Sequence, residues 1–390
     1  MVRTGLDLWV ANGFAALAGK RIGAIVNATS VDSRLRHLAD LLLEAKVDLR
    51  MLFAPEHGIR GEAPYMVAVH QATDARTGLP VHSLYGSTLD SLSPKVEELR
   101  QLDALVFDIQ DVGSRYYTYA YTMALAMKAA GAAAIGFYVL DRPNPIGGTQ
   151  AEGNLVENRF RSFVGLYPLP NRHGMTIGEL ARYLNGEEGF AVDLTVAECK
   201  GWRRAQYWDS TGLPFVPPSP NMPTADTALV YPGMCLCEGT NLSEGRGTCR
   251  PFEQVGAPWL DAEALAAELN LEDLPGVLFR PVTFVPSFDK HANTACQGAM
   301  IHVTDRQAFR PLLTGIAVVR AARRLSGSRF QWRTEPYEFV ADIPAFDLLC
   351  GTDRIRQGIE ADWPITRLVE GFDGQVAAFL AKRAPYELYG

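Results

Sequence analysis

One glutamate in this chain stands in a local sequence that favours chemistry over structure. Glu56 follows a short apolar run and lies between Pro55 and His57, in the segment Pro-Glu-His-Gly. Glutamate is not a usual turn residue, and its carboxyl could act as a general acid. Two alternatives are a surface turn and a salt bridge between Glu56 and Arg60. His57 could also join a metal site formed with distant residues.

A second cluster of polar residues follows another apolar run. Asp108 and Asp111 supply two further carboxylates, although Asp111 could instead cap the helix that follows. Arg115 could pair bidentately with an acidic group of a ligand. Tyr116 and its neighbouring tyrosines are suited to stacking on sugar rings while their hydroxyls form hydrogen bonds.

Several well-known catalytic signatures are missing from the sequence. There is no G-x-G-x-x-G or G-x-x-x-x-G-K-[ST], which argues against a dinucleotide or ATP site. There is also no G-x-S-x-G after a strand, no H-x-x-x-H and no C-x-x-C. These absences favour carboxylate chemistry without a metal or other cofactor. The even count of six cysteines permits disulfides, but in a chain of this length we expect buried free thiols.

The composition excludes other classes of protein. Of 390 residues, 47% are hydrophobic and 21% are charged, which is typical of a folded chain. The net charge of −7 argues against a nucleic-acid partner. No apolar run approaches the roughly 20 residues of a membrane span. Residues 1–7 do not read as a signal peptide, so we expect a cytoplasmic protein, or an exported one if a leader has been removed.

The elements that must position these residues follow from the apolar pattern. Five runs rich in Val, Ile, Leu and Phe predict buried strands, with helical patterns at 33–46 and 119–131 between them. The runs are residues 21–26, 49–54, 80–84, 104–109 and 135–140. Strands that alternate with helices predict a Rossmann-like, doubly wound parallel sheet, an α/β fold. The helix at 119–131 should end at a glycine C-cap.

Polar clusters follow four of these runs and should meet at one edge of the sheet. Ligands of such sheets bind at the carboxyl ends of the strands. The clusters begin at Asn27, Glu56 and Gln110, and the last one contains Arg142 and Asn144. Four clusters at one edge predict a functional site there.

A proline-rich stretch at 217–223 predicts the boundary of a second domain. We expect a catalytic domain at 1–225 and a smaller auxiliary α+β domain at 226–390, with strands at 277–285 and 299–303 and helices at 307–325 and 369–386. Glu238 and three residues of the glycine-bearing loop that follows it, namely Asn241, Glu244 and Arg246, could reach a cleft between the domains. Thr176 and Glu179 match a capping box, which leaves the nearby His173 as either a site or a scaffold residue.

At these residues the sequence resembles the NamZ-type exo-β-N-acetylmuramidase family over nearly its whole length. The matching stretches are residues 53–61, 106–119, 140–145, 172–176, 218–223 and 238–248. The resemblance implies a Rossmann-like domain with an auxiliary C-terminal domain, and a glycoside hydrolase that removes N-acetylmuramic acid from the non-reducing end of peptidoglycan fragments. It also implies that Glu56 is the catalytic acid/base. A cytoplasmic member would act on imported fragments, in cell-wall recycling.

Glycoside hydrolysis usually needs two carboxylates, or one carboxylate assisted by the substrate. We expect Glu56 to be the general acid and leave the second group open among Asp108, Asp111, Glu244 and the 2-acetamido group of the sugar. The lactyl carboxylate of the sugar calls for an arginine. The predicted substrate-binding residues are His57, Arg60, Gln110, Arg115, Tyr116, Arg142, Asn144, His173, Asn221, Asn241, Glu244 and Arg246. The alternatives are a non-catalytic muropeptide-binding protein and a metal- or NAD-dependent enzyme.

Overall fold

A seven-stranded sheet forms the centre of the first half of the chain. The computed structural model describes residues 1–56, 58–60, 72–86 and 88–390. The strands are β1 (Arg21–Val26), β2 (Asp48–Ala54), β3 (Ala72–Thr73), β4 (Pro80–Ser83), β5 (Ala104–Asp108), β6 (Gly136–Leu140) and β7 (Leu194–Ala197). Their order is β3-β4-β2-β1-β5-β6-β7. All neighbours are parallel except the edge pair of β3 and β4, which is antiparallel.

Each of the five predicted apolar runs forms a strand of this sheet, so the predicted fold class is confirmed. The fully buried β5 shows why such runs lack alternation, because both of its faces are covered. Phe107 packs on one face with residues of the helices α4 (Tyr119–Ala133) and α5 (Ile177–Glu187). Val106 packs on the other face with residues of α1 (Gly5–Ala11) and α2 (Leu38–Glu44). The sheet is therefore doubly wound.

Two of the predicted helices differ in their limits. The chain before α2 adopts a turn in which Leu35 has a positive φ of 62°, so α2 begins only after its N-cap at His37. The predicted glycine C-cap of α4 is wrong. The helix continues past Gly131 to Ala133, and its C-cap is Ala134, which adopts the left-handed conformation itself.

A second, antiparallel sheet lies in the C-terminal part of the chain. Its strands are β8 (Gln254–Ala257), β9 (Val277–Phe284) and β10 (Cys296–Val303), in the order β8-β10-β9. The remaining helices are α3 (Val96–Leu99), α6 (Ala225–Met234), α7 (Ala262–Leu271), α8 (Pro311–Ser326), α9 (Ala345–Cys350), α10 (Arg354–Glu360), α11 (Ile365–Leu368) and α12 (Phe372–Arg383). These elements form the smaller α+β unit of the predicted fold.

The two sheets share one continuous hydrophobic core. Buried residues of β5 and α4 belong to the same apolar cluster as Val255 of β8 and Phe279 of β9. Helices α6 and α8 cross closely at two glycines: a Cβ on Gly315 would lie 2.2 Å from the Gly233 carbonyl oxygen. The division at 225/226 stays a prediction, and it coincides with the start of α6.

The described residues also bear on membrane-spanning helices and on the state of the cysteines. No helix in the described ranges has the length and apolarity that crossing a membrane requires. The described residues include all six cysteines, and each is a free thiol, with only Cys249 exposed.

Candidate active site

An open cavity of about 580 Å³ lies where the carboxyl edge of the parallel sheet meets the C-terminal unit. Four predicted site residues line it, namely Glu56, Tyr116, Asn221 and Arg246. The full lining is Glu56, Tyr116, Tyr117, Thr118, Tyr119, Val164, Ser219, Asn221, Met222, Tyr231, Glu238, Arg246, Phe252, Tyr337 and Glu338.

Glu56 reaches the cavity because β2 ends at Ala54 and the chain then turns. Its side chain is half-buried. The Tyr119 hydroxyl at the start of α4 lies 3.4 Å from the Glu56 carbonyl oxygen and donates a 2.8 Å hydrogen bond to the Pro218 carbonyl. One tyrosine thus ties the end of β2 to α4 and to the proline-rich stretch, which fixes the backbone that carries Glu56.

The opposite wall carries a buried charge network from the C-terminal unit. Arg246 Nη2 donates to Glu238 Oε1 over 2.6 Å, and Arg246 Nε lies 3.1 Å from Glu244 Oε1. Lys290 Nζ donates to the other Glu244 oxygen over 2.9 Å. The Tyr337 hydroxyl donates to Glu238 Oε2 over 2.6 Å. These contacts satisfy groups that are costly to bury unpaired.

A third carboxyl, that of Glu338, lines the same cavity. Burial, together with the negative charges of Glu56 and Glu238, raises its pKa to about 7 against the opposing effect of Arg333. Two carboxyl groups that share a poorly solvated site cannot both ionise easily, because their negative charges repel each other. The cavity therefore combines three carboxyl groups with one arginine among its described lining residues.

Tyrosines form much of the remaining wall. Tyr117 packs edge-to-face against both Tyr119 and Tyr231, with ring centroids 5.2 Å and 5.9 Å apart. The Tyr116 hydroxyl donates to the Pro232 carbonyl over 3.1 Å. Burial holds the pKa of each of these four phenols above its usual value, so they remain neutral hydrogen-bonding groups. Such walls suit the apolar faces and hydroxyls of a sugar.

Asp108 and Arg142 lie at the same sheet edge but outside this cavity. Arg142 donates from Nε to Asp108 Oδ1 over 2.6 Å and from Nη2 to Asp108 Oδ2 over 2.8 Å. Burial raises the pKa of Asp108, and Arg142 opposes this rise. Gln110 donates to the Pro143 carbonyl over 2.9 Å, and together with Arg142 it lines a separate cavity of about 340 Å³.

Asp111 supports a turn rather than the following helix. Its Oδ2 accepts a 2.7 Å hydrogen bond from Gly113 N, whereas the N-cap of α4 is Thr118. The interpretation that Asp111 caps this helix is therefore wrong. His173 Nε2 lies 3.4 Å from the same Asp111 oxygen, and the His173 side chain is fully buried. The predicted capping box of Thr176 and Glu179 is confirmed at the start of α5.

Three predicted binding residues hold backbone together away from the cavity. The buried Arg115 guanidinium donates to the carbonyls of Asn154, Leu169 and Leu349 over 2.6–3.0 Å. Asn144 donates to the Met175 carbonyl over 2.9 Å. Asn241 donates to the Arg329 carbonyl and accepts from Gln331 N. Glu244 is not among the described lining residues of the cavity, but it contacts Arg246, which is.

Arg60 lines a neighbouring cavity of about 610 Å³, and Ser219 belongs to the walls of both cavities. Arg60 forms ion pairs with Asp40 and Asp74 at 3.1 Å and 3.0 Å. Its guanidinium holds the pKa of Asp74 well below the usual range. The predicted residue His57 lies outside the described residues.

Sequence reasoning missed Glu338 and Tyr337 altogether. Both lie in a stretch with no motif, and only the packing of the C-terminal unit brings them to the end of β2. The sequence indicates that Glu238 could reach the cleft, but it does not predict the hydrogen bond between Glu238 and Tyr337. Within the described ranges, no group of three His, Cys, Asp or Glu side chains could hold a metal ion.

Comparisons with known proteins agree with this architecture over the whole chain. The family model described as exo-beta-N-acetylmuramidase NamZ, N-terminal, matches residues 22–226, and the corresponding C-terminal model matches residues 229–389. The peptidoglycan beta-N-acetylmuramidase NamZ of Bacillus subtilis (strain 168) is 45% identical over 389 residues, which is 100% of this chain and 91% of that protein.

Two crystal structures of DUF1343 family proteins from Bacteroides fragilis NCTC 9343 have the same fold. The first has a TM-score of 0.90 at 37% identity, and the second has a TM-score of 0.78 at 31% identity. Each alignment covers 100% of this chain and 99% of the other.

Proposed function

Because this chain belongs to the NamZ exo-β-N-acetylmuramidase family, we propose that it releases N-acetylmuramic acid from the non-reducing ends of peptidoglycan fragments. The relative in Bacillus subtilis, which carries that activity in its name, aligns with every part of this chain. The observation that carries the proposal is the cavity in which Glu56 faces a wall of tyrosines. A carboxyl can serve as the general acid of glycoside hydrolysis, and the tyrosine rings suit the faces of a sugar.

Glu56 is the general acid of this proposal and protonates the oxygen that leaves with the remainder of the glycan. Its backbone is fixed through Tyr119, while its half-buried side chain lines the cavity. Asp108 and Asp111 are poor candidates for the second group, because neither lines this cavity and Asp108 is already held by Arg142. Glu244 is similarly held by Arg246 and Lys290.

Recognition of an acidic sugar calls for a cation near the tyrosine wall. Arg246 lines the cavity and Arg60 lines its neighbour, so both are candidates for the lactyl carboxylate. Each already faces at least two carboxylates of the protein, which keeps its position fixed. Among the predicted arginines, Arg115 is the weakest candidate, because its guanidinium already donates hydrogen bonds to three backbone carbonyls.

A cytoplasmic role in recycling imported cell-wall fragments remains part of the proposal. Fractionation of the native host, with an antibody against this chain, tests the location. Detection in the cytoplasmic fraction supports the recycling role, whereas detection only outside the cytoplasmic membrane contradicts it.

Replacement of Glu56 by glutamine tests the assignment of the acid. Glu56→Gln keeps the shape of the side chain but removes the proton, so kcat on a disaccharide of N-acetylmuramic acid and N-acetylglucosamine should fall by about 10²–10⁴-fold. KM should change little, because the substrate contacts persist. Glu97→Gln is a matched control, because Glu97 is exposed on α3. Near-normal turnover of Glu56→Gln would show that the acid lies elsewhere.

A further inference from the structure

Glu338 sits in a backbone conformation that glutamate rarely adopts. Tyr337 and Val340 exchange backbone hydrogen bonds of 2.9 Å and 3.0 Å around a two-residue turn. Within that turn, Glu338 and Phe339 both have positive φ angles, of 46° and 68°. Such turns favour Asn-Gly, because the left-handed conformation is unfavourable for most residues other than glycine and asparagine. A strained glutamate that lines a cavity points to a use for its side chain.

Contacts on both sides hold this turn in place. The Tyr337 hydroxyl is bonded to Glu238 Oε2, and Glu238 is in turn bonded to Arg246. The Phe339 ring packs edge-to-face on Phe163, with ring centroids 6.4 Å apart. Glu338 thus lies between two residues whose side chains are held in place, and it lines the cavity that Glu56 also lines.

The charged and titratable groups that face Glu338 come from four parts of the chain. They are Glu56 after β2, Tyr85 after β4, Glu238 after α6 and Arg333 on its own segment. Glu238 is compensated by Arg246 and Tyr337. The Arg333 guanidinium lies over the Tyr337 ring at 4.9 Å. Among the described residues, no hydrogen bond or ion pair is formed by the Glu338 side chain.

We propose that Glu338 and Glu56 form a carboxyl pair that holds one proton, which Glu56 delivers to the leaving glycosidic oxygen. The proposal rests on the muramidase function above and deepens it. Facing carboxyls in a poorly solvated site resist double ionisation, so the pair keeps a proton to a higher pH than a lone glutamate does. The raised pKa of Glu338, about 7, agrees with this view. Glu338 acts through Glu56 and is a positioning residue.

In each turnover the carboxyl pair gives up one proton and takes one back. The shared proton moves to the glycosidic oxygen as the bond from C1 to that oxygen breaks. A water molecule then supplies the oxygen that bonds to C1, and its released proton returns to the doubly ionised pair. One water is consumed in each turnover, and the pair regains its starting state.

The pH dependence of kcat/KM tests this pairing. In Glu338→Gln the second carboxyl of the pair is gone, so the alkaline limb should move down by about one pH unit or more. That shift corresponds to about a tenfold loss of kcat/KM on the alkaline side. Glu338→Asp, which keeps a charge, should largely retain the wild-type limb. Glu335→Gln, an exposed site on the same segment, should not change it. Coincident alkaline limbs for wild type and Glu338→Gln would overturn the proposal.

A titration without substrate separates this inference from the proposed function. In protein labelled with ¹³C at the glutamate carboxyls, the signal lost in Glu338→Asp identifies Glu338. In the wild type it should titrate near the raised pKa of about 7, and Glu56→Gln should lower that value. A Glu338 signal that titrates near 4 in both proteins would overturn the pairing, even in an active enzyme. An inactive wild type with the expected titration would contradict the muramidase function alone.

Discussion

Charged residues at the edge of the sheet divide into those that line the cavity and those that hold the scaffold. Glu56, Arg246 and Glu338 belong to the first group. Asp108 and Arg142 belong to the second, because their side chains satisfy each other where little water reaches them. Residue type alone cannot separate the two groups, since a carboxylate at a strand end suits either role.

Removal of one partner of the buried pair should therefore affect stability more than catalysis. Arg142→Met leaves the Asp108 carboxylate buried without its partner and should lower the free energy of unfolding by about 3–5 kcal/mol. Urea denaturation measures this change. Arg50→Met, which removes an exposed pair with Asp48, should cost less than about 1 kcal/mol. If Arg142→Met kept its stability but lost kcat, the pair would belong to the catalytic machinery.

At the scale of elements, the sequence predicts most of the sheet and part of the site. The strands that are buried on both faces are visible as apolar runs, whereas the short β3 and β7 carry too little pattern to be recognised. The carboxyl ends of the strands bring Glu56 to the cavity as predicted. Glu338 could not be predicted, because its position depends on how the C-terminal unit packs and on a turn stabilised by Tyr337 and Phe163.

The start of α5 offers a test of an element that the sequence did predict. Thr176 Oγ1 accepts from Glu179 N over 3.2 Å and donates to Asp141 Oδ2 over 2.8 Å. Thr176→Ala removes both contacts and should lower the free energy of unfolding by about 1–2 kcal/mol. Thr176→Ser keeps the hydroxyl and should cost distinctly less. Equal losses in the two variants, measured by urea denaturation, would assign the effect to the methyl group instead.

At the scale of the whole molecule, the shared core explains why the cavity can be assembled from distant segments. Residues of both sheets belong to one apolar cluster, and Glu56 and Glu338 line the same cavity although 282 positions separate them (338 − 56). The net charge of −7 implies that an acidic sugar must meet locally placed arginine. Arg246 and Arg60 supply positive charge at and beside the cavity, so this part of the surface is not uniformly negative.

Hydrolysis of a defined disaccharide tests the central claim most directly. The substrate carries N-acetylmuramic acid at its non-reducing end, β-linked to N-acetylglucosamine, and mass spectrometry identifies the products. The wild type should release both free sugars, Glu56→Gln should release almost none, and the disaccharide with the two sugars in reverse order should remain intact. Failure of the wild type to release free N-acetylmuramic acid, although the protein is folded, would contradict the proposed function.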